Sequence, residues 1–187
     1  MFNIITLYKQ QNSVFSFSQL AQLFPEETDI KLRKKLSYAV KTDKLGNPRK
    51  GIYVKEGYSV YELANKIYTP SYISLNSVLK DEGVIFQHDP TVTVISYVSR
   101  EISCDKHKIK YHRIRDDIVV NKSGIKNVGT YFRAEVERAL LDTMLLYKDF
   151  HFDNINAINL NKAADLLSIY NNKQLQKRFN SLVKEHD

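Results

Sequence analysis

One cysteine, Cys104, is present among 187 residues, and a single thiol cannot build an intramolecular disulfide framework. That scarcity fits a reducing compartment. No apolar run approaches the length of a membrane span, and the first residues, MFNIITLY, lack both a cationic start and a long apolar core. They read as a helix rather than a signal peptide, so the expected location is the cytoplasm, with no membrane partner. The six glycines are scattered, so no phosphate-cradling loop is expected. Nucleophile motifs, internal repeats and low-complexity segments are also missing from the sequence.

What is there in quantity is apolar and cationic. A hydrophobic fraction of 43% with 26% charged residues, 12 Tyr and 9 Phe supplies the cores of an ordinary globular protein of one domain or two compact ones. The formal net charge of +7 and pI near 9.3 suit an acidic polymer as partner. A membrane surface would be attracted as readily, so the distribution of charge has to decide.

The distribution points to residues 29–54, DIKLRKKLSYAVKTDKLGNPRKGIYV. On a helix at 100° per residue, Leu32, Leu36, Ala39 and Val40 fall on one side, while Lys31, Lys34, Ser37, Tyr38 and Lys41 fall on the other. A solvated lysine-rich face usually interleaves Glu with Lys, and here only Asp43 interrupts the basic run up to Lys50. Ahead of this helix, residues 2–11 carry helical spacing and residues 14–17 alternate. Ser18 can cap a short helix ending before Pro25, and Thr28 or Asp29 can cap the basic helix. Behind it, Leu45 and residues 52–54 can pair around Gly46-Asn47-Pro48, a hairpin whose tip would hold Asn47, Arg49 and Lys50. Helix, strand, helix, basic helix and basic hairpin is the order of a winged helix-turn-helix, whose third helix enters the major groove. The expected DNA-contacting residues are Lys31, Arg33, Lys34, Ser37, Tyr38, Lys41, Asn47, Arg49 and Lys50.

Composition changes near Gly57, which sets the expected boundary between a winged-helix domain, 1–57, and a second domain, 58–187. One helical pattern precedes Thr69-Pro70. Another follows it, capped by Ser71 or Ser74, burying Leu75, Val78 and Leu79 and ending at Gly83. Residues 91–98 and 107–115 read as strands, with 118–120 and 128–132 as shorter ones, giving a small antiparallel sheet of three or four strands. Lys108, Lys110 and His112 share one face of the second strand and are expected to add basic contacts. Helical periodicity returns from Arg133, and the last helix carries Leu175, Phe179, Leu182 and Val183 as a stripe. The second domain is therefore expected to be α+β, its helices at the two ends of the strand block.

The pieces KLGNPRKGIYV, ELANKIYTPSYISLNSVLKDEGVI and AEVERALLDTM stand in an order and at spacings that resemble the AbiEi antitoxins. These are transcriptional regulators of type IV toxin-antitoxin systems active in abortive infection, a phage defence. The resemblance covers most of the chain up to about Phe150. It implies a winged helix followed by an α+β antitoxin domain in which Tyr72, Ile73 and Ser74 start a helix and 137–142 form a helix core. Family members often carry a proline where this chain has Val136. The resemblance further implies a repressor of its own operon that binds promoter repeats in double-stranded DNA. It would counter a co-encoded AbiEii-like nucleotidyltransferase toxin, without needing a stable complex with it. On the residues alone, Tyr72 and Ser74 read as a helix start with a packed tyrosine.

Neither metal nor cofactor is expected. Cys104, His107 and His112 include good zinc ligands, but the two histidines are five apart on a strand and leave on opposite faces. Asp116, Asp117, Glu135, Glu137 and Asp142 could hold magnesium in a nuclease, yet Glu135 and Glu137 are two apart on a helix and cannot share a face, and Glu137 with Arg138 reads as a surface or end-of-helix pair. Two alternatives to the DNA-binding antitoxin reading stay open. One is a metal-dependent nucleic-acid-processing enzyme using Lys108, Lys110 and His112 for substrate and Asp116 or Asp117 for the metal. The other is a winged-helix regulator whose second domain senses a small molecule.

Overall fold

The computed structural model describes residues 2–87 and 89–186. Asn3 caps α1 (Ile4–Tyr8) by accepting from the Ile5 N–H, and the helix is shorter than its periodicity suggests. After β1 (Val14–Ser16), Ser16 rather than Ser18 caps α2 (Phe17–Leu23). Ser16 Oγ accepts from the Gln19 N–H while Gln19 Oε1 accepts from the Ser16 N–H, a reciprocal capping box that Ser18 could not form. Thr28 caps α3 (Asp29–Lys41), as its position predicts. The hairpin β2 (Gly46–Arg49) and β3 (Ile52–Val54) completes a three-stranded sheet of order β1-β3-β2.

That sheet stands between two cores. Neighbouring residues of a strand face opposite ways, so Phe15 packs with Leu7, Leu20, Leu32 and Leu36, whereas Val14, Ile52 and Val54 join the core of the rest of the chain. The first helix beyond it, α4 (Val60–Ile67), carries Glu62, only 1% exposed. Its carboxylate accepts from Asn12 Nδ2, the Ser13 N–H, Ser13 Oγ and the Val14 N–H at 2.6–3.1 Å. A buried charge is tolerable when it is this fully hydrogen-bonded.

The remaining elements are β4 (Ser71–Ile73), α5 (Asn76–Asp81), β5 (Val92–Ser96), β6 (Arg100–Cys104), β7 (His107–Arg113) and α6 (Asp116–Val120). They are followed by β8 (Ile125–Asn127), β9 (Phe132–Ala134), α7 (Val136–Leu146), α8 (Leu160–Leu166) and α9 (Lys173–His186), with short 3-10 turns at Ile155–Ala157 and Leu167–Ile169. The chain is mixed α+β, but its larger sheet is six-stranded and mixed, of order β6-β7-β5-β4-β9-β8, rather than a small antiparallel one. Helices flank both faces of it. Tyr111 of β7 donates its hydroxyl to the Ala64 carbonyl of α4, while Thr93 and Ser77 exchange hydrogen bonds that seat α5 on the opposite face. The helices α5 and α6 also interrupt the strands, so helices are not confined to the ends of the strand block.

Three local expectations are overturned. Ser71–Ile73 is a fully buried strand and not a helix start; the helix after it opens at Asn76, with no side-chain cap. Ser71 and Ser74 look like caps in sequence because serine serves both roles, and tertiary burial decides between them. Residues 118–120 lie in α6, and the predicted strand 128–132 is displaced to β9, paired with an unpredicted β8. Val136 takes the first position of α7, where a proline would also be tolerated.

Candidate nucleic-acid interface

The basic face of α3 is built by the opposite, apolar one. Leu32 and Leu36 are 0% exposed and Ala39 is 3% exposed, which fixes the helix rotation and turns Lys31, Lys34, Tyr38 and Lys41 outward within an arc of about 80°. All four are exposed, with Tyr38 at 66%. Among the described residues no carboxylate lies within 4.0 Å of Lys31, Lys34 or Lys41. Lys35, at the edge, differs: it pairs with Glu27 and holds that carboxyl below its usual range. Ser37 is also on the exposed side.

The two arginines are already engaged. Arg33 lies with its guanidinium 3.7 Å from the Phe17 ring centroid, a stacking contact that holds its charge beside the start of α2. Phe17 in turn donates its N–H to the Gly51 carbonyl at 2.8 Å, so Arg33, Phe17 and the hairpin tip are neighbours. Arg49 leans the other way, 5.8 Å from the Tyr68 ring centroid.

Asn47 is not at the hairpin tip. Pro48 has no N–H for the ladder, the register slips between Gly46 and Arg49, and Asn47 Nδ2 bridges the irregularity by donating to the Arg49 and Ile52 carbonyls. The tip is Lys50-Gly51, with Gly51 at φ +80°. Lys50 is exposed there, and Lys44, just past α3, adds an exposed cation that the helix pattern alone did not single out.

The second group, Lys108, Lys110 and His112, shares one face of β7, but only in part as a cationic surface. Lys108 forms an ion pair with Glu101 across the β6–β7 ladder at 2.9 Å. His112 packs near Tyr147, and burial, helped by Lys110, pushes its imidazole down to about 4. It is neutral at pH 7. Lys110 remains exposed.

Glu137 and Arg138 are not a surface pair, being 6% and 0% exposed. Arg138 stands 3.5 Å from Asp142, one turn on, and donates to the Ile118 and Ser123 carbonyls and to the Tyr72 hydroxyl. Asp142 accepts from Tyr72, Ser74 and Tyr170 at 2.7–3.0 Å. Burial lifts the Asp142 carboxyl above its ordinary value, while Arg138 and the three hydroxyls oppose the rise. Tyr170 comes from the closing segment, which the family resemblance does not reach. Glu135 and Glu137 converge after all, on Lys162 of α8 at 2.8 and 3.3 Å, because Glu135 sits just outside the helix. Asp117 is paired with Arg115, and Cys104 is buried, its thiol 3.2 Å from the Pro48 carbonyl. Among the described residues no group of three or more His, Cys, Asp or Glu side chains is placed to hold a metal ion, and no helix is long and apolar enough to cross a membrane.

A scan against protein-family models and a search of curated proteins both find no match to this chain.

Proposed function

We propose that this chain is a DNA-binding transcriptional repressor, its first 57 residues a winged helix-turn-helix with α3 as the groove-facing helix and Lys50 at the wing tip. The observation that carries the reading is the face of Lys31, Lys34, Tyr38 and Lys41: exposed, and free of carboxylate partners among the described residues. A helix of 13 residues with its opposite side in a core is the element a major groove admits. The resemblance of three sequence pieces to AbiEi antitoxins extends the proposal. The chain would repress its own operon through promoter repeats and counter a co-encoded nucleotidyltransferase toxin.

The test is a gel-shift titration on the chain's own promoter. Lys34→Glu together with Lys41→Glu should weaken operator binding on the order of 100-fold by removing and inverting two phosphate-facing charges. Ser37→Ala should instead cost about 1–3 kcal/mol at a single operator position if Ser37 reads a base. Operator affinity unchanged by the double charge reversal overturns the assignment. Co-expression with a nucleotidyltransferase, should a reading frame for one adjoin the gene of this chain, tests the antitoxin half. Rescue of growth by the repression-defective variant is the outcome expected of a type IV pair.

A further inference from the structure

Ile30 is the second residue of α3 and is 70% exposed. It lies about 30° from the direction opposite the buried Leu32, Leu36 and Ala39, so it stands near the middle of the outward face. Lys34, Ser37 and Lys41 follow it at i+4, i+7 and i+11, and the four make one row along the helix. A single apolar residue on a protein surface needs no explanation by itself. This one is set apart by its place. A β-branched side chain is a poorer helix former than alanine or lysine, and here it joins no core while every other member of its row is cationic or carries a hydroxyl. Tyr38, the other large apolar side chain exposed on α3, is different: it lies toward the flank and lines a groove with Phe2 and Ile4.

The charge around Ile30 selects the partner. Among the described residues no carboxylate lies within 4.0 Å of Lys31, Lys34 or Lys41, so the face suits a polyanion that also offers something apolar at its centre. The major groove of B-DNA offers one such group, the C5 methyl of thymine. In a helix-turn-helix the N-terminal residues of the groove-facing helix reach the base edges, and Ile30 is at that end, two residues after the Thr28 cap. Its side chain has neither donor nor acceptor. It cannot hold a phosphate or read a hydrogen-bonding edge, and a methyl group is what it can recognise.

We propose that Ile30 is a specificity-determining residue, packing on the C5 methyl of a thymine in the site that each copy binds while Lys34 and Lys41 meet phosphates. This rests on the reading of α3 as the groove-facing helix and adds a sequence feature that the operator must carry.

The test replaces the thymines of the footprinted operator one at a time by deoxyuridine, which removes the methyl and leaves charge and base pairing as they were. At one thymine per bound copy the full chain should lose about fourfold in affinity, as for one buried methyl-sized group. Ile30→Ala, an exposed change that favours the helix, should bind the thymine operator about fourfold or more weakly. It should lose nothing further on the uracil operator, because both changes remove the same contact. Its slope of log affinity against log salt should match that of the unaltered chain. Lys34→Gln is the contrast: it should weaken both operators by one factor and reduce the slope by about 0.9. Affinity indifferent to uracil at every thymine, or a uracil penalty that persists in Ile30→Ala, overturns the assignment of Ile30 and leaves α3 as the DNA-facing helix. Equal losses by Ile30→Ala on both operators, with a changed oligomeric state, overturn it too and assign the side chain to a contact between copies. Absence of operator binding by the unaltered chain instead overturns the DNA-binding reading, and this inference with it.

Discussion

Asp142 and Arg138 are each 0% exposed, and polar neighbours satisfy most of the pair, Arg138 Nε alone of the guanidinium nitrogens making no hydrogen bond. Three hydroxyls donate to the carboxylate, and two carbonyls and a tyrosine oxygen accept from the guanidinium. Gly124 belongs to the same construction: with φ at +70° it passes so close to α7 that a Cβ would stand 3.0 Å from Arg138 Cβ. Asp142→Asn strands the guanidinium without its counter-charge and should cost about 3–5 kcal/mol of stability. Tyr170→Phe removes one donor and should cost about 1–3 kcal/mol. Urea unfolding of the two variants gives that order; equal, negligible losses would mean that the network does not hold the fold. His112 supplies a pH dependence. Its folded value, near 4, lies below the unfolded 6.5, so between these values the unfolded chain binds the extra proton and stability falls as pH drops through that window. His112→Gln should flatten the slope of stability against pH between about 6.5 and 4.

At the scale of elements, α4 is the joint. Its Glu62 gathers four donors from residues 12–14, the loop and strand that precede α2, while its Ala64 carbonyl takes the Tyr111 hydroxyl of the large sheet. Glu62→Gln replaces an accepting oxygen by a donor facing other donors, at about 1–3 kcal/mol or more. Hydrogen exchange should show protection lost first at Ser13 and Val14, with β5 and β7 little changed. Some elements were plain in the sequence. The helices α3, α7 and α9 carry long apolar stripes, and β5 and β7 are β-branched or alternating, so one periodicity names each. Others left no such trace: β4 has three buried residues, β6 is a mostly exposed sheet edge, and α6 is five residues long. The cationic face of α3 could be read because amphipathy alone orients it. The engagement of Arg33 with Phe17, of Arg49 with Tyr68 and of Asn47 with the β-bulge could not, since each partner is brought in by tertiary folding.

Across the whole molecule, the net charge of +7 overstates what is free to meet a polyanion on the N-terminal face. Lys35 is paired with Glu27, Arg33 is stacked on Phe17, and Arg49 is turned toward Tyr68 of the larger unit. Lys31, Lys34, Lys41 and Lys50 remain exposed and without an ion pair among the described residues. If these four, on the outward face of α3 and at the hairpin tip, each neutralise one phosphate, log affinity against log salt should have a slope of about −3.6 per bound copy, from about −0.9 for each contact on B-DNA. Involvement of the two arginines as well would steepen it to about −5.4. A contact from exposed Lys44 would add about −0.9 more. Lys50→Gln should therefore shift the slope by about +0.9, while Arg49→Gln should leave it unchanged. An Arg49→Gln variant whose slope falls like that of Lys50→Gln would show that the hairpin leaves Tyr68 to meet the backbone. The wing would then work by detaching from the larger unit rather than by presenting its tip alone.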